Sequence, residues 1–372
     1  MKDTNKKIKQ SNMELLRIIS MLMIIALHFL GHGKILNSVS KGTITYYIAW
    51  TFETISYISV NLYILISGYF LIDSKFKISK VIKLFFEVLF YSLIIYAFML
   101  IFNIEVFNTK ILLKVCTPII SNQYWFVTRY ILMYILSPFM NKLINTLNKK
   151  EHKNFCFLLV FLCCFVNVIY VILNKGYYLI SNNIIWFIVL YIIGAYIKKY
   201  DINISTKRGI TYYINILITM LLSRFIPEIL LRNSNINILK KAPNLFYNYS
   251  SILVFLMSLI VFLLFKNIKI ENKIINKIIL FFGPLTFGVY LIHDNNFVRG
   301  WLWENINTTG FMYSSMFVVK MIAIVIIIFI VCSFIEYIRQ KLFRILKVDK
   351  LANKIEKKVK TAKRIEYKMT KN

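Results

Sequence analysis

Long apolar stretches alternate with short polar segments along almost the whole chain. A helix that crosses the hydrocarbon core of a bilayer needs about 20 mainly apolar residues, and ten stretches meet or approach that length. They cover residues 13–31, 47–71, 81–103, 124–140, 154–173, 184–198, 209–223, 248–265, 278–294 and 315–338, of which the sixth and seventh are the weakest. The pattern predicts an all-α polytopic membrane protein with about ten transmembrane helices.

The distribution of positive charge predicts the orientation of these helices. Of the 46 Lys and Arg residues, 33 fall in the N-terminus, in every second loop and in the tail, 10 fall in the remaining loops and 3 lie within helices. Loops rich in Lys and Arg stay on the cytoplasmic side of a membrane. We therefore predict that both termini are cytoplasmic, with a basic N-terminus at 1–12, a membrane domain at 13–338 and a basic tail at 339–372. The loop 224–247 is an exception, because it places four positive charges outside.

Two interpretations of the tail stay open. Its basic and partly amphipathic sequence is typical of a helix that lies against anionic lipid on the cytoplasmic side. The alternative is a disordered tail.

The overall composition excludes several classes of protein. Hydrophobic residues make up 58% of the chain and the mean hydropathy is +0.65, which is too apolar for one soluble core. The net charge of +30 comes in short clusters rather than along one face, so we predict no nucleic-acid partner. The five cysteines show neither metal nor redox spacing, and we predict free thiols and no metal site. The first apolar stretch lacks a cleavage site and is predicted to remain as a signal anchor.

The first predicted helix carries an arginine and a histidine within otherwise apolar sequence, RIISMLMIIALH from Arg17 to His28. Charged residues inside membrane helices are costly and are therefore candidates for function. The two residues are eleven positions apart, and at about 100° per residue this spacing returns to nearly the same face. We predict that Arg17 and His28 face a shared polar channel.

Four more polar residues are predicted at a similar depth in the outer half of the membrane: Glu53, Arg129, His293 and Asp294. Ionisable groups in lipid need each other or water. We infer one hydrated polar site, in which either Glu53 or Asp294 orients a histidine. Lys320 and Glu336 lie near helix ends, where long side chains reach the interface, and we assign them no function.

The predicted inner side carries a second set of polar residues. Glu87 is a candidate partner for Arg17, and Lys80 and Lys83 belong to a basic cluster ahead of the third helix. Two interpretations of this cluster stay open. It either reflects membrane topology alone, or it holds the phosphates of an anionic donor in the cytosol. The chain has no glycine-rich phosphate loop, which argues against nucleotide hydrolysis.

Four sequence blocks in order resemble the integral-membrane acyltransferase 3 family. They are Arg17-x10-His28, VNLYILISGYFL at 60–71, QYWFVTRYILMYILSPFMNKLI at 123–144 and GPLTFGVYLIHDN at 283–295. The resemblance covers residues 13–338 and is greatest to the branch that O-acetylates bacterial surface polysaccharides.

The resemblance implies an acetyl-CoA-dependent O-acetyltransferase of the plasma membrane. Such an enzyme moves an acyl group from acyl-CoA to a hydroxyl of a surface or capsular polysaccharide or its lipid-linked precursor, and holds no permanent cofactor. His28 would be the catalytic base and Arg17 would support the donor. Lys80 and Lys83 stand where relatives often have arginines, and lysine lacks the planar fork that binds phosphate in a bidentate manner.

Several mechanistic alternatives stay open. Histidine either acts as a general base or accepts the acyl group itself, and Arg129 or Arg17 stabilises the oxyanion. A proton-coupled transporter or a lipid-linked glycan flippase is the main alternative function, because buried Arg, Glu and His also mark proton pathways.

Overall fold

A computed structural model describes residues 10–173, 183–230 and 239–369. Within these ranges the regular structure is entirely helical. The α-helices are α1 Ser11–Gly31, α2 Ile35–Ser38, α3 Ile44–Ser56, α4 Ser59–Leu71, α5 Ile78–Ile101, α6 Thr109–Cys116, α7 Trp125–Thr146, α8 Lys149–Ile172, α9 Ile184–Lys199, α10 Thr206–Leu230, α11 Ile252–Lys266, α12 Lys273–Phe282, α13 Thr286–His293, α14 Asn296–Ile306, α15 Phe317–Ile345 and α16 Val348–Met369. Short 3-10 turns lie at Leu239–Asn244, Gly283–Leu285 and Thr308–Phe311. Most of the predicted basic N-terminus lies outside the described residues.

Helices occupy all ten predicted stretches. Among the described residues, six helical segments are long and apolar enough to cross a membrane: Ser11–Ser38, Ile44–Leu71, Ile78–Ile101, Thr206–Leu230, Lys273–His293 and Phe317–Ile345. Helices α7, α8, α9 and α11 occupy the other four stretches, and the count of ten spans stays a prediction. The all-helical class and the multi-pass membrane character are confirmed.

Two of the predicted helices are interrupted. The stretch 47–71 forms α3 and α4, which are separated at Tyr57 and Ile58. The stretch 278–294 forms α12 and α13, and a 3-10 turn that contains Pro284 lies between them. Proline has no amide hydrogen and disrupts the preceding turn of an α-helix. The second break makes α13 a short helix that ends at His293.

Helices α4 and α9 approach each other closely because each has a glycine at their crossing. A Cβ atom at Gly68 would lie 2.2 Å from the Tyr191 carbonyl oxygen, and one at Gly194 would lie 2.4 Å from the Leu65 carbonyl oxygen. Small residues permit such contacts between membrane helices. The α4–α9 pair lies in one of the two hydrophobic clusters of the bundle.

Replacing Gly68 by alanine is expected to destabilise the membrane domain. The added methyl group meets backbone rather than a flexible side chain, so the helices must separate. Overpacking of this kind costs about 1–3 kcal/mol, and thermal unfolding in detergent should occur several degrees lower. Gly300→Ala is the matched control, because nothing lies within 4 Å of a Cβ at that position. Equal unfolding temperatures for Gly68→Ala and the wild-type protein would contradict the close crossing.

The C-terminal region packs against the helix bundle. Helix α15 continues past residue 338 to Ile345, and α16 then packs against α5. Ala352 is fully buried in this contact, and the Ser79 amide donates a hydrogen bond to Glu356 Oε2 at 3.3 Å. The interpretation as a disordered tail is therefore wrong for residues 348–369. Contact with lipid stays a prediction.

Candidate active site

A cavity of about 330 Å³ lies at the centre of the bundle, and both predicted key residues of α1 line it. Arg17 and His28 are separated by eleven residues, or about 16 Å of helix. The spacing correctly predicts that they share a face. We call the part of this central cavity near Arg17 the arginine end and the part near His28 the histidine end.

At the histidine end, α1 and α13 bring two histidines together. His28 Nδ1 lies 3.0 Å from His293 Nε2, and His293 Nδ1 lies 2.6 Å from the Val289 carbonyl oxygen. A carbonyl oxygen only accepts hydrogen bonds, so His293 carries its proton on Nδ1 and its Nε2 is an acceptor. His28 must then donate from Nδ1. In the neutral ring, His28 Nε2 keeps its lone pair and is the nitrogen suited to act as a base.

Asp294 is the carboxylate beside this histidine pair. Its Oδ1 lies 3.7 Å from His28 Nδ1 and 3.9 Å from His32 Nε2, and its side chain is 6% exposed. Arg299 Nη1 lies 3.4 Å from the same oxygen. Of the two predicted orienting carboxylates, the structure places Asp294 next to His28.

Glu53 lies elsewhere, in a cluster between α3 and α10. It is buried, and its Oε2 has no hydrogen-bond partner among the described residues. The cation of this cluster is Arg224, which is also buried, stacks on Trp50 and donates a hydrogen bond to Asn244 Oδ1 at 2.6 Å. Glu53 is not among the residues that line the central cavity, so the structure does not bring it together with the histidines there.

Arg129 is also not part of the cavity lining. It lies in the first turns of α7, where its guanidinium donates to the Trp125 carbonyl oxygen at 3.1 Å and to the Asn122 side chain. Arg17 is separated from His28 by the length of the cavity. Neither predicted oxyanion-stabilising arginine lines the histidine end of the cavity.

At the arginine end, the partners differ from those predicted. Arg17 Nη1 pairs with Glu14 Oε1 at 2.7 Å, one turn earlier on α1. Glu87 instead pairs with Arg339 Nη2 at 2.9 Å. The prediction that Arg17 pairs with Glu87 is wrong, because Glu14 is a local partner and α15 supplies a second cation.

Arg339 and Glu336 form a buried network that sequence analysis assigned to the tail and to a helix end. Arg339 Nε donates to Glu336 Oε2 at 3.0 Å, and the Tyr91 hydroxyl donates to the same oxygen at 2.6 Å. Glu336 is fully buried, so the prediction that it reaches the membrane interface is wrong. The i, i+3 spacing of Glu336 and Arg339 on one helix is the signal that could have identified the pair.

The 3-10 turn between α12 and α13 contacts both the Arg17–Glu14 pair and the Arg339 network. The Glu14 side chain packs against Gly283, where a Cβ would lie 2.3 Å from Glu14 Oε2. One residue on, the Pro284 carbonyl oxygen accepts a hydrogen bond from Gln340 at 3.3 Å. The break between α12 and α13 thus joins the Arg17 pair to the Arg339 network at one end of the cavity.

The two lysines predicted to bind donor phosphates lie outside the cavity lining. Lys83 Nζ pairs with Asp349 Oδ1 of α16 at 2.5 Å, and Lys80 Nζ lies 5.8 Å from the centroid of the Tyr134 ring. Their neighbours are α16 and α7 rather than the central cavity. The cations that line the cavity are Arg17 and Arg339.

The sequence matches a model of a protein family. A family model described as an acyltransferase domain matches residues 10–337, which is nearly the whole chain. No curated protein and no solved structure matches the chain.

Proposed function

The chain belongs to the acyltransferase 3 family, and from this premise we propose that it is an acetyl-CoA-dependent O-acetyltransferase of the plasma membrane. The acceptor in this proposal is a hydroxyl of a cell-surface or capsular polysaccharide or of its lipid-linked precursor. The family membership supports acyl transfer within a membrane protein. The donor, the acetyl group and the acceptor are the proposed parts.

One observation carries the proposal: Arg17 and His28 line the same cavity. A donor whose charged part stays at the cytosolic side needs a passage for its thioester arm to reach the base. The cavity offers this passage between a cationic end and a histidine. Its middle is lined by apolar side chains such as Met21 and Ile24, which suit an uncharged arm.

The chemistry at the histidine end follows from the tautomer of His28. Its Nε2 takes the proton of the acceptor hydroxyl as the oxygen attacks the thioester carbonyl carbon. The carbon–sulfur bond breaks, the acetyl ester forms and the thiolate of CoA leaves, and it receives the proton from His28. Asp294, 3.7 Å from Nδ1, stabilises the imidazolium that forms between these steps. The same lone pair would serve a route in which His28 carries the acetyl group itself.

An oxyanion develops on the thioester carbonyl during either route and needs a hydrogen-bond donor. Because Arg17 lies at the other end of the cavity and Arg129 is not among its lining residues, we assign this role to Tyr290. It lines the cavity, and its ring centroid lies 6.4 Å from that of His293.

A row of aromatic residues supports a glycan acceptor. Trp125 and Tyr249 line the cavity and stack at a centroid distance of 6.0 Å. The row continues from Tyr249 to Tyr57 at 5.2 Å, to Tyr247 at 6.1 Å and to Trp50 at 5.3 Å. Sugar rings pack on aromatic faces because their C–H groups carry partial positive charge and the π face is negative. The row leads from the histidine end toward α3 and α10, on the predicted outer side.

The proposal is tested with purified protein in sealed vesicles and labelled acetyl-CoA. We expect cleavage of the thioester, or transfer of its label, when acetyl-CoA is supplied at the cytoplasmic face. Supply at the outer face alone should give little activity, because the cationic end of the cavity is predicted to be cytoplasmic. Equal use from both faces would refute passage of the donor through the cavity.

The acceptor is tested in cells with and without the chain, by NMR of O-acetyl groups on surface glycans. We expect O-acetyl signals only when the chain is present. If the O-acetyl signals are the same with and without the chain while the thioester is cleaved in vesicles, the proposed glycan acceptor is refuted and the proposed use of acetyl-CoA is kept.

A further inference from the structure

His32 brings a third metal-ligating group to the histidine end, and we propose that His28, His32 and Asp294 form a binding site for a divalent transition metal, Zn²⁺ above all. His28 and His32 lie four positions apart: His28 is in the last turn of α1, and His32 is the residue directly after this helix. Asp294 follows α13 directly. One nitrogen of each histidine and one oxygen of Asp294 all lie within 4.8 Å of one another.

The geometry needs only small side-chain movements to hold an ion. Zn²⁺ binds imidazole nitrogen and carboxylate oxygen at about 2.0–2.2 Å, so ligand atoms around one ion lie about 3.3 Å apart in a tetrahedron. Asp294 Oδ1 already lies 3.7 Å from His28 Nδ1 and 3.9 Å from His32 Nε2. His32 has freedom to adjust, because 39% of its side chain is exposed.

The chemistry of the ligands favours Zn²⁺ over the harder cations. Two imidazoles suit Zn²⁺, Co²⁺, Ni²⁺ and Cu²⁺, whereas Mg²⁺ and Ca²⁺ prefer oxygen ligands throughout. Two histidines and one carboxylate leave one coordination position open. The Asp294 carboxylate is buried, and the Arg299 guanidinium lies 3.4 Å from it. Arg299 neutralises the negative charge of Asp294 only in part, so the remaining negative charge attracts a metal cation to this oxygen.

Metal binding has a defined consequence for His28, and this consequence rests on the proposed function. The nitrogen nearest Asp294 is Nδ1, which donates to His293 when no metal is bound. An ion on Nδ1 moves the ring proton to Nε2 and breaks the bond to His293. Nε2 then has no lone pair to accept the proton of an acceptor hydroxyl, so the metal inhibits acyl transfer.

The test uses the full chain purified without a polyhistidine tag, with Zn²⁺ alone measured by calorimetry and Co²⁺ by its absorption spectrum. We expect one ion per chain and a tetrahedral Co²⁺ spectrum. His32→Ala should weaken binding at least ~10-fold, since loss of a ligand costs no less than loss of its supporting contacts. Arg299→Ala should strengthen binding, because it removes the cation that competes for Asp294. Zn²⁺ binding that is equal in wild type and His32→Ala would overturn the site.

Activity measurements separate this proposal from the proposed function. In chelator, His32→Ala should retain wild-type acyl transfer, and it should need more Zn²⁺ for inhibition. If Zn²⁺ does not inhibit acyl transfer and the protein also binds no Co²⁺, the proposed metal site is refuted and the proposed function is kept. If the protein binds metal in a manner that depends on His32 but shows no acyl transfer, the proposed function is refuted and the proposed metal site is kept.

Discussion

His28→Ala is expected to lower the rate of acetyl transfer by about 10²- to 10⁴-fold, the usual contribution of a general base. The substitution removes His28 Nε2, the ring nitrogen of the His28–His293 pair whose lone pair is not used in a hydrogen bond. The side chain is 18% exposed to the cavity, so its loss should leave the packed core intact. Initial rates with labelled acetyl-CoA measure the effect, and the unfolding temperature shows whether the variant is folded.

The matched control is His32→Ala, which makes the same chemical change four residues further along the chain, directly after α1, and should retain activity in chelator. His293→Leu tests the tautomer, because it removes the acceptor for His28 Nδ1. As a positioning residue, His293 should affect kcat while the KM for acetyl-CoA stays unchanged. Full activity in His28→Ala would remove the catalytic assignment and leave the family membership as it stands.

Arg339→Met is expected to destabilise the protein by about 3–5 kcal/mol, the usual cost of removing one partner of a buried ion pair. Arg339 is the cation between Glu87 and Glu336, and Glu336 is fully buried. Without it, two carboxylates remain close together in a medium that solvates charge poorly. Thermal and denaturant unfolding in detergent micelles measure the change.

Two further variants make this result specific. Arg299→Met removes an arginine that is 35% exposed and whose Nη1 lies 3.4 Å from Asp294 Oδ1, and it should cost less than Arg339→Met because solvent screens the guanidinium. Adding Glu87→Gln and Glu336→Gln to Arg339→Met should restore much of the stability, because the uncompensated charges are then gone. If Arg339→Met unfolds like the wild type, the network does not stabilise the bundle.

The partners of individual polar residues are where sequence reasoning reached its limit. Periodicity fixes which residues of one helix share a face, and it correctly joined Arg17 and His28. It has no information on which residue of another helix lies opposite. The sequence predicts Glu87 as the partner of Arg17 although Glu14 lies one turn away on the same helix, and it does not distinguish Glu53 from Asp294 as the partner of a histidine.

The same limit explains the misplaced Glu336 and Arg339. Their position near the end of an apolar stretch suggested a helix terminus and the start of a tail. The structure extends α15 by two turns and packs α16 on α5, and both Glu336 and Arg339 are buried. Helix length beyond an apolar stretch depends on contacts that the stretch itself does not contain.

The sequence by itself determined that the chain is a helical membrane protein, because apolar length and residue spacing within a helix are local properties. Its membership of the acyltransferase 3 family rests on sequence similarity and also needs no tertiary structure. It also determined that one face of the first helix carries both an arginine and a histidine. Only the tertiary structure decided that His293 and Asp294, rather than Glu53, meet His28, and that Arg339 joins Glu87. These pairs depend on how helices distant in sequence cross, and packing of whole helix surfaces sets those crossings.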